Sequence, residues 1–182
     1  MPLIRSRDLR LAIAFGIAAC GLGGRLFNFA GAASWNGGVS MKISTAAALM
    51  LVAFSYQVSP SRRSLSGQCQ IFASGIMLLT LGGYHEASNE HETVAALVPS
   101  LATIACVITL SIACQWRSLS PHFRILSALT ASLAFAGHLL HLPPWSYWYY
   151  PAISTGMALS TSITILLIAS ADPHCKATTA TR

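Results

Sequence analysis

The feature that most limits what this chain can fold into is a pattern stated three times. Met41–Gln57 reads MKISTAAALMLVAFSYQ: small residues around a threonine lead into a long apolar run that stops before a basic loop. A step of about 58 residues carries Thr45 to Thr103, inside LATIACVITLSIACQ, and a second carries it to Thr161, inside MALSTSITILLIAS. Gln57 falls on Gln115 in the first step, and Met41 on Met157 after both. Recurrence at a fixed period marks tandem copies of one supersecondary unit. Each copy holds two hydrophobic segments of helical length, so the expected fold is all-α, a six-helix bundle built from three tandem helical hairpins. The copies fall at approximately 9–58, 68–115 and 124–171 of one domain spanning 1–182.

Composition decides where such a bundle can live. Hydrophobic residues make up 54% of the chain and charged ones only 9%, against roughly 25% charged in soluble domains. A chain with so little polar surface to offer is expected to be a polytopic membrane protein. The net charge of +6 does not indicate nucleic acid, which would require a clustered basic face or a binding motif. The spans are expected at Leu11–Phe29, Ile43–Val58, Gln70–Tyr84, Val94–Gln115, Ile125–Leu142 and Ala152–Ala171. Crossing the hydrocarbon core takes about 20 apolar residues, so the second and third are short.

Charge sorts the loops into two sides. Arg5, Arg7, Arg10, Arg62, Arg63, Arg117, Arg124, Lys176 and Arg182 fall on one side, with Lys42 and Arg25 on the other beside Glu86, Glu90 and Glu92. Cytoplasmic loops are enriched in Lys and Arg. Both termini are therefore expected in the cytoplasm. A rival reading makes the first span a lipoprotein signal ending at a lipidated Cys20. Cleavage there would destroy the first repeat.

Lipid is as apolar as leucine, so helices in a bilayer associate through close packing of small residues. Ala12, Gly16, Cys20 and Gly24 suggest such a face on the first span, and Ala128, Ser132 and Ala136 one on the fifth. Gly156 and Ser160 begin another on the sixth. Thr45, Thr103 and Thr161 suit packing positions whose hydroxyls bond a carbonyl one turn back or cross to a neighbouring helix. A ligand site built from the three related threonines is the alternative.

Residues with chemistry to offer are few. His85, Glu86 and His91 share the loop after the third span, while His138 and His141 stand three apart near the same end of the fifth. Imidazole with carboxylate suits zinc or copper, making these five the metal candidates on the outer face, although no tight ligand motif is present. A haem would need axial histidines facing each other across helices, which linear spacing does not supply, so no cofactor is expected. Trp145, Tyr147 and Trp148 belong to an aromatic run suited to the headgroup level, or to a lid over an outward pocket stiffened by Pro143, Pro144 and Pro151. Arg25 sits near the outer end of the first span. Its stem can carry the guanidinium to the headgroups, or the charge can meet Glu86 or an anionic ligand. No cysteine stands in an outer loop, and no nucleophile triad, phosphate loop or carboxylate pair is present, so the chain is not expected to be an enzyme.

Met41-Lys-Ile-Ser-Thr45-Ala46 and Met157-Ala-Leu-Ser-Thr161-Ser162, with Val98-Pro-Ser-Leu-Ala-Thr103 between them, resemble the helix pairs of bacterial multi-span sensor modules. Those modules lie amino-terminal to diguanylate cyclases and sensor histidine kinases, and the resemblance covers most of the chain. It implies a sensory function in a bacterial inner membrane and transfers no binding residues. Such modules continue into a coiled linker and output domain, whereas only Asp172–Arg182 follows Ala171. A signal would then pass to a separate partner, or the sequence is a piece of a longer sensor. The expected function is a non-catalytic membrane sensory or interaction module; the alternative is a small-molecule carrier or channel with a path between the hairpins. The expected partners are the lipid bilayer, a cytoplasmic signalling protein and further copies of the chain, and not nucleic acid.

Overall fold

A computed structural model describes residues 6–27, 41–59, 61–87, 99–141 and 157–174. Among them the regular structure is helical throughout: α1 (Ser6–Leu26), α2 (Ile43–Val58), α3 (Arg63–Ala87), α4 (Leu101–Gln115), α5 (Ser120–Leu139) and α6 (Leu159–Ala169). Two stretches, Ser6–Leu26 and Arg63–Gly82, are long and apolar enough to cross a membrane.

The repeat reappears as geometry. Helices α2, α4 and α6 touch one another, while α1 lies between α6 and α2, α3 between α2 and α4, and α5 between α4 and α6. Each hairpin therefore contributes one outer and one inner helix, and the ring closes where α1 packs on α6. The inner helices start at residues 43, 101 and 159, the same position in each copy. The residue before each start is extended: Lys42 at φ −77°, ψ 151°, Ser100 at φ −62°, ψ 147° and Ala158 at φ −63°, ψ 149°.

Equivalent residues of the three copies then stack in layers. Thr45, Thr103 and Thr161 form the first, each 2% exposed. One turn on come Leu49, Val107 and Ile165, and three residues further Val52, Leu110 and Ile168, all fully buried. Steps of four and then three residues keep a side chain on one face of a helix, so the pattern in the repeat is the core of the bundle.

Small residues do pack the outer helices inward, on a different register from the one expected. The buried face of α1 is Leu11, Ala14, Ala18, Gly21 and Gly24, whereas Ala12, Gly16 and Cys20 are exposed. On α5 the buried residues include Ser127, Ala131, Ala134 and Gly137, with Ser132 exposed. The reason is angular. Four residues turn about 400°, so a strict four-residue ladder drifts about 40° per step, while alternating steps of three and four hold the face. Gly21 lets α1 approach the start of α2 closely: a Cβ there would lie 2.9 Å from Sδ of Met41, so that side chain would have to shift.

Several boundaries also move. Helix α3 begins at Arg63 instead of Gln70, and α5 at Ser120 instead of Ile125. Pro121, expected in a link, occupies the first turn of α5, where its missing N–H has no partner to lose. Helix α4 begins at Leu101 instead of Val94 because Ser100 caps it, accepting the Thr103 N–H at 3.2 Å. Helix α5 ends at Leu139, and His141 beyond it takes a positive φ of 51°.

Candidate functional site

Polar side chains are buried where α2, α3 and α4 meet. Gln70 on α3 is 2% exposed, and its Nε2 donates to Ser55 Oγ at 3.1 Å and to Ser66 Oγ at 3.3 Å. Ser66 Oγ in turn lies 3.6 Å from Cys114 Sγ on α4. The Ser55 hydroxyl gives its proton to the Val52 carbonyl at 2.8 Å, so its oxygen can only accept from the Gln70 amide. That fixes the amide orientation and leaves Gln70 Oε1 buried without a hydrogen-bond partner among the described residues. Beside the cluster, the Tyr56 hydroxyl donates to the Leu110 carbonyl at 2.9 Å, tying α2 to α4.

A groove of about 430 Å³ runs between α3 and α4 next to this cluster. Gln70, Gly75 and Leu78 wall one side, and Ser111, Gln115 and Trp116 the other. A Cβ added at Gly75 meets nothing within 4 Å, so the glycine borders open space. A smaller recess of about 300 Å³ between α4 and α5 is lined by residues including Cys106, Thr109 and Ser127.

At the end of the bundle where the inner helices finish, basic groups meet their last carbonyls. Arg7 of α1 donates to the Tyr56 carbonyl of α2. Arg10 donates to the Ser170 carbonyl at 3.0 Å and Arg124 to the Ala169 carbonyl at 2.8 Å, both at the end of α6. His174 Nε2 donates to the Ala113 carbonyl of α4 at 3.2 Å, and Arg124 also pairs with Asp172 at 3.4 Å. Each contact places a positive or donating group against the negative end of a helix dipole. Basic residues read from sequence as loop markers thus also tie the outer helices to the inner ones.

The metal candidates are not assembled among the described residues, where no group of three His, Cys, Asp or Glu side chains stands together. His138 Nε2 donates to the Met157 carbonyl at 2.6 Å, joining α5 to the start of α6. His141 lies past the end of α5 and does not share a helix face with His138. His85 and Glu86 fall in the last turn of α3, but their side chains, like all of His91, lie outside the described residues. Trp145, Tyr147 and Trp148 lie outside them as well. Arg25 is exposed in the last turn of α1. Partial burial, followed by the nearby Arg25 charge, lowers the pKa of Lys42 below its usual 10.5. Cys20 is exposed on α1.

Of the three equivalent threonines, Thr103 shares a 2.8 Å hydrogen bond with the Ser100 hydroxyl. Bonds to a carbonyl one turn back are made by other residues: Ser111 to Val107 at 2.9 Å and Thr164 to Ser160 at 2.7 Å. Thr109 bridges to Ser127 across α4 and α5 at 2.7 Å.

No family model, curated protein or solved structure matches this chain.

Proposed function

We propose that the chain is a non-catalytic, multi-pass module of a bacterial inner membrane, with both termini cytoplasmic, that senses or mediates interaction and passes its output to a separate cytoplasmic protein. The observation that carries this reading is an inverted distribution of polarity. The outward faces of the outer helices are oily, with Ile71 71%, Leu79 81% and Leu129 64% exposed. The interior meanwhile holds Gln70, Ser55 and the three threonines. In water so much exposed apolar area would drive association; in a bilayer it is the solvated surface, and buried hydroxyls and amides serve as interhelical links. The basic residues gathered where the inner helices end accord with a cytoplasmic face.

Sensing is favoured over transport by the packing along the inner helices. The layers Leu49–Val107–Ile165 and Val52–Leu110–Ile168 are fully buried and leave apolar side chains where a carrier would need a wetted path.

Alkaline carbonate washing of membranes tests the location: the protein is expected in the pellet, and recovery in the wash overturns the reading. Proteoliposome uptake separates the two functions. No saturable flux is expected; flux abolished by Thr45→Val, Thr103→Val and Thr161→Val would establish a carrier instead. A photo-crosslinker at Ser61 or Ser118 should capture a cytoplasmic signalling protein.

A further inference from the structure

Resting on the membrane reading above, we infer that the α3–α4 groove is a binding site for one anionic phospholipid, its acyl chain between the helices and its phosphate against Arg63 and Arg117. The groove wall is mainly apolar, with the hydroxyls of Ser74 and Ser111 along it and the amides of Gln70 and Gln115 at the end near the arginines. Gly75 opens it by presenting no side chain, and Leu78 and Ile112 give walls against which an alkyl chain can lie. Towards the basic end stand Gln115 and Trp116. Gln115 folds over Gly67, its Nε2 3.2 Å from where a Cβ would be, which puts an amide donor at the level where a lipid's glycerol esters would sit.

Helical register places the charge. Arg63, Gln70 and Gly67 fall within one face of α3, since seven residues return a helix to within about 20° of its starting direction. Arg63 therefore lies about 10 Å beyond Gln70 on the groove side, by the 1.5 Å rise per residue. Arg117 follows Trp116 directly at the end of the opposite wall. Both arginines are exposed, and neither makes an ion pair among the described residues. Arg62, by contrast, is eight residues from Gln70, about 80° away around the helix axis. Paired arginines above an oily slot complement a phosphate ester carrying a single negative charge and a long tail.

Native mass spectrometry of the protein in detergent, with equal dioleoyl phosphatidylglycerol and dioleoyl phosphatidylethanolamine, tests the assignment. One phosphatidylglycerol per chain should be retained with a preference of roughly thirtyfold, the scale expected from two near-surface arginines. Arg63→Gln with Arg117→Gln should abolish the preference, and Gly75→Leu, which fills open space, should lower retention of both lipids. Arg62→Gln should leave the preference intact. Circular dichroism confirms that each variant keeps its helices. Equal retention of the two lipids overturns the site, as does a preference that survives in the double variant or is lost equally in Arg62→Gln. Retention unaltered by Gly75→Leu also overturns it. A protein that stays dispersed in water without detergent overturns this site and the membrane reading together; one that needs detergent yet shows no preference overturns the site alone.

Discussion

Gly21 and Gly75 are both helical glycines, and the surroundings of each predict opposite outcomes for the same substitution. At Gly21 an added methyl meets Sδ of Met41 at 2.9 Å and its Cβ at 3.4 Å, where α1 crosses the start of α2. Gly21→Ala should therefore cost about 1–3 kcal/mol, the usual range for overpacking a closely filled contact. At Gly75 the methyl enters the groove, and Gly75→Ala should gain about 0.5–1 kcal/mol from reduced backbone freedom in the unfolded chain. Unfolding in mixed micelles measures both, and a loss at Gly75 equal to that at Gly21 would contradict the open groove. Lys42 supplies a pH dependence. Because its folded pKa is depressed by burial and by Arg25, the unfolded chain holds the proton more tightly. Its contribution to stability should thus rise with pH from the lowered folded value up to about 10.5 and level off above it. The difference in melting temperature between wild type and Lys42→Met across that window reads the contribution, and Arg25→Gln should make the rise shallower. Neither glycine's environment is legible in the sequence, where both are merely small residues in apolar runs. The distinction depends on which neighbour each faces. Gln70 is similar: at the edge of an apolar segment it reads as a boundary, and only the approach of Ser55 and Ser66 makes it an interhelical link.

At the scale of helices, the three copies provide an internal control on capping. Ser100 caps α4, while Lys42 and Ala158, in nearly the same backbone conformation, supply no side-chain cap. Ser100→Ala should destabilise by about 0.5–2 kcal/mol, and transplanting the cap through Ala158→Ser should recover a comparable amount at α6. Thr161 already occupies the position that Thr103 fills beneath Ser100. Thermal unfolding of the two single variants and their combination checks this, and near-additivity is expected because the caps belong to different helices. Of the inner-helix starts only that of α2, at Ile43, was legible in the sequence; α4 and α6 begin seven residues after the expected Val94 and Ala152, at the threonine block and not at the onset of the apolar run. The starts of α3 and α5 were not legible either, because their first turns are polar and hydropathy registers only the apolar part that follows. Pro121 looked like a break and is a helix start, a distinction that depends on whether the preceding N–H groups need partners. The basic residues were visible as charge, but their carbonyl acceptors at Tyr56, Ala113, Ala169 and Ser170 lie at least 45 residues away in sequence.

For the molecule as a whole, the ring of outer helices around three inner ones has a direction that can be tested without any ligand. Arg7 meets the end of α2, and Arg10 and Arg124 meet the end of α6, so α1 runs antiparallel to both α2 and α6, and α5 antiparallel to α6. The loop before α3, the loop before α5 and the residues after α6 therefore share one end of the bundle. Met41 against Gly21 and Met157 against His138 lie at the other. If the oily outer surface is lipid-facing, reporters at Ser61–Ser64, at Ser118 and after Thr181 should all register as cytoplasmic, and one at Gly37 as external. If one helix of a hairpin failed to cross the bilayer, the loops flanking that hairpin would fall on opposite faces. Opposite faces for Ser61–Ser64 and Ser118 would therefore mean that α3 and α4 do not both cross. The α3–α4 groove would then face water, and the apolar exposure of Ile71 and Leu79 would need a protein partner instead of lipid to cover it. Agreement of all four reporters would leave lipid as the solvent of the outer faces, and the repeat as the reason three similar hairpins close into one ring.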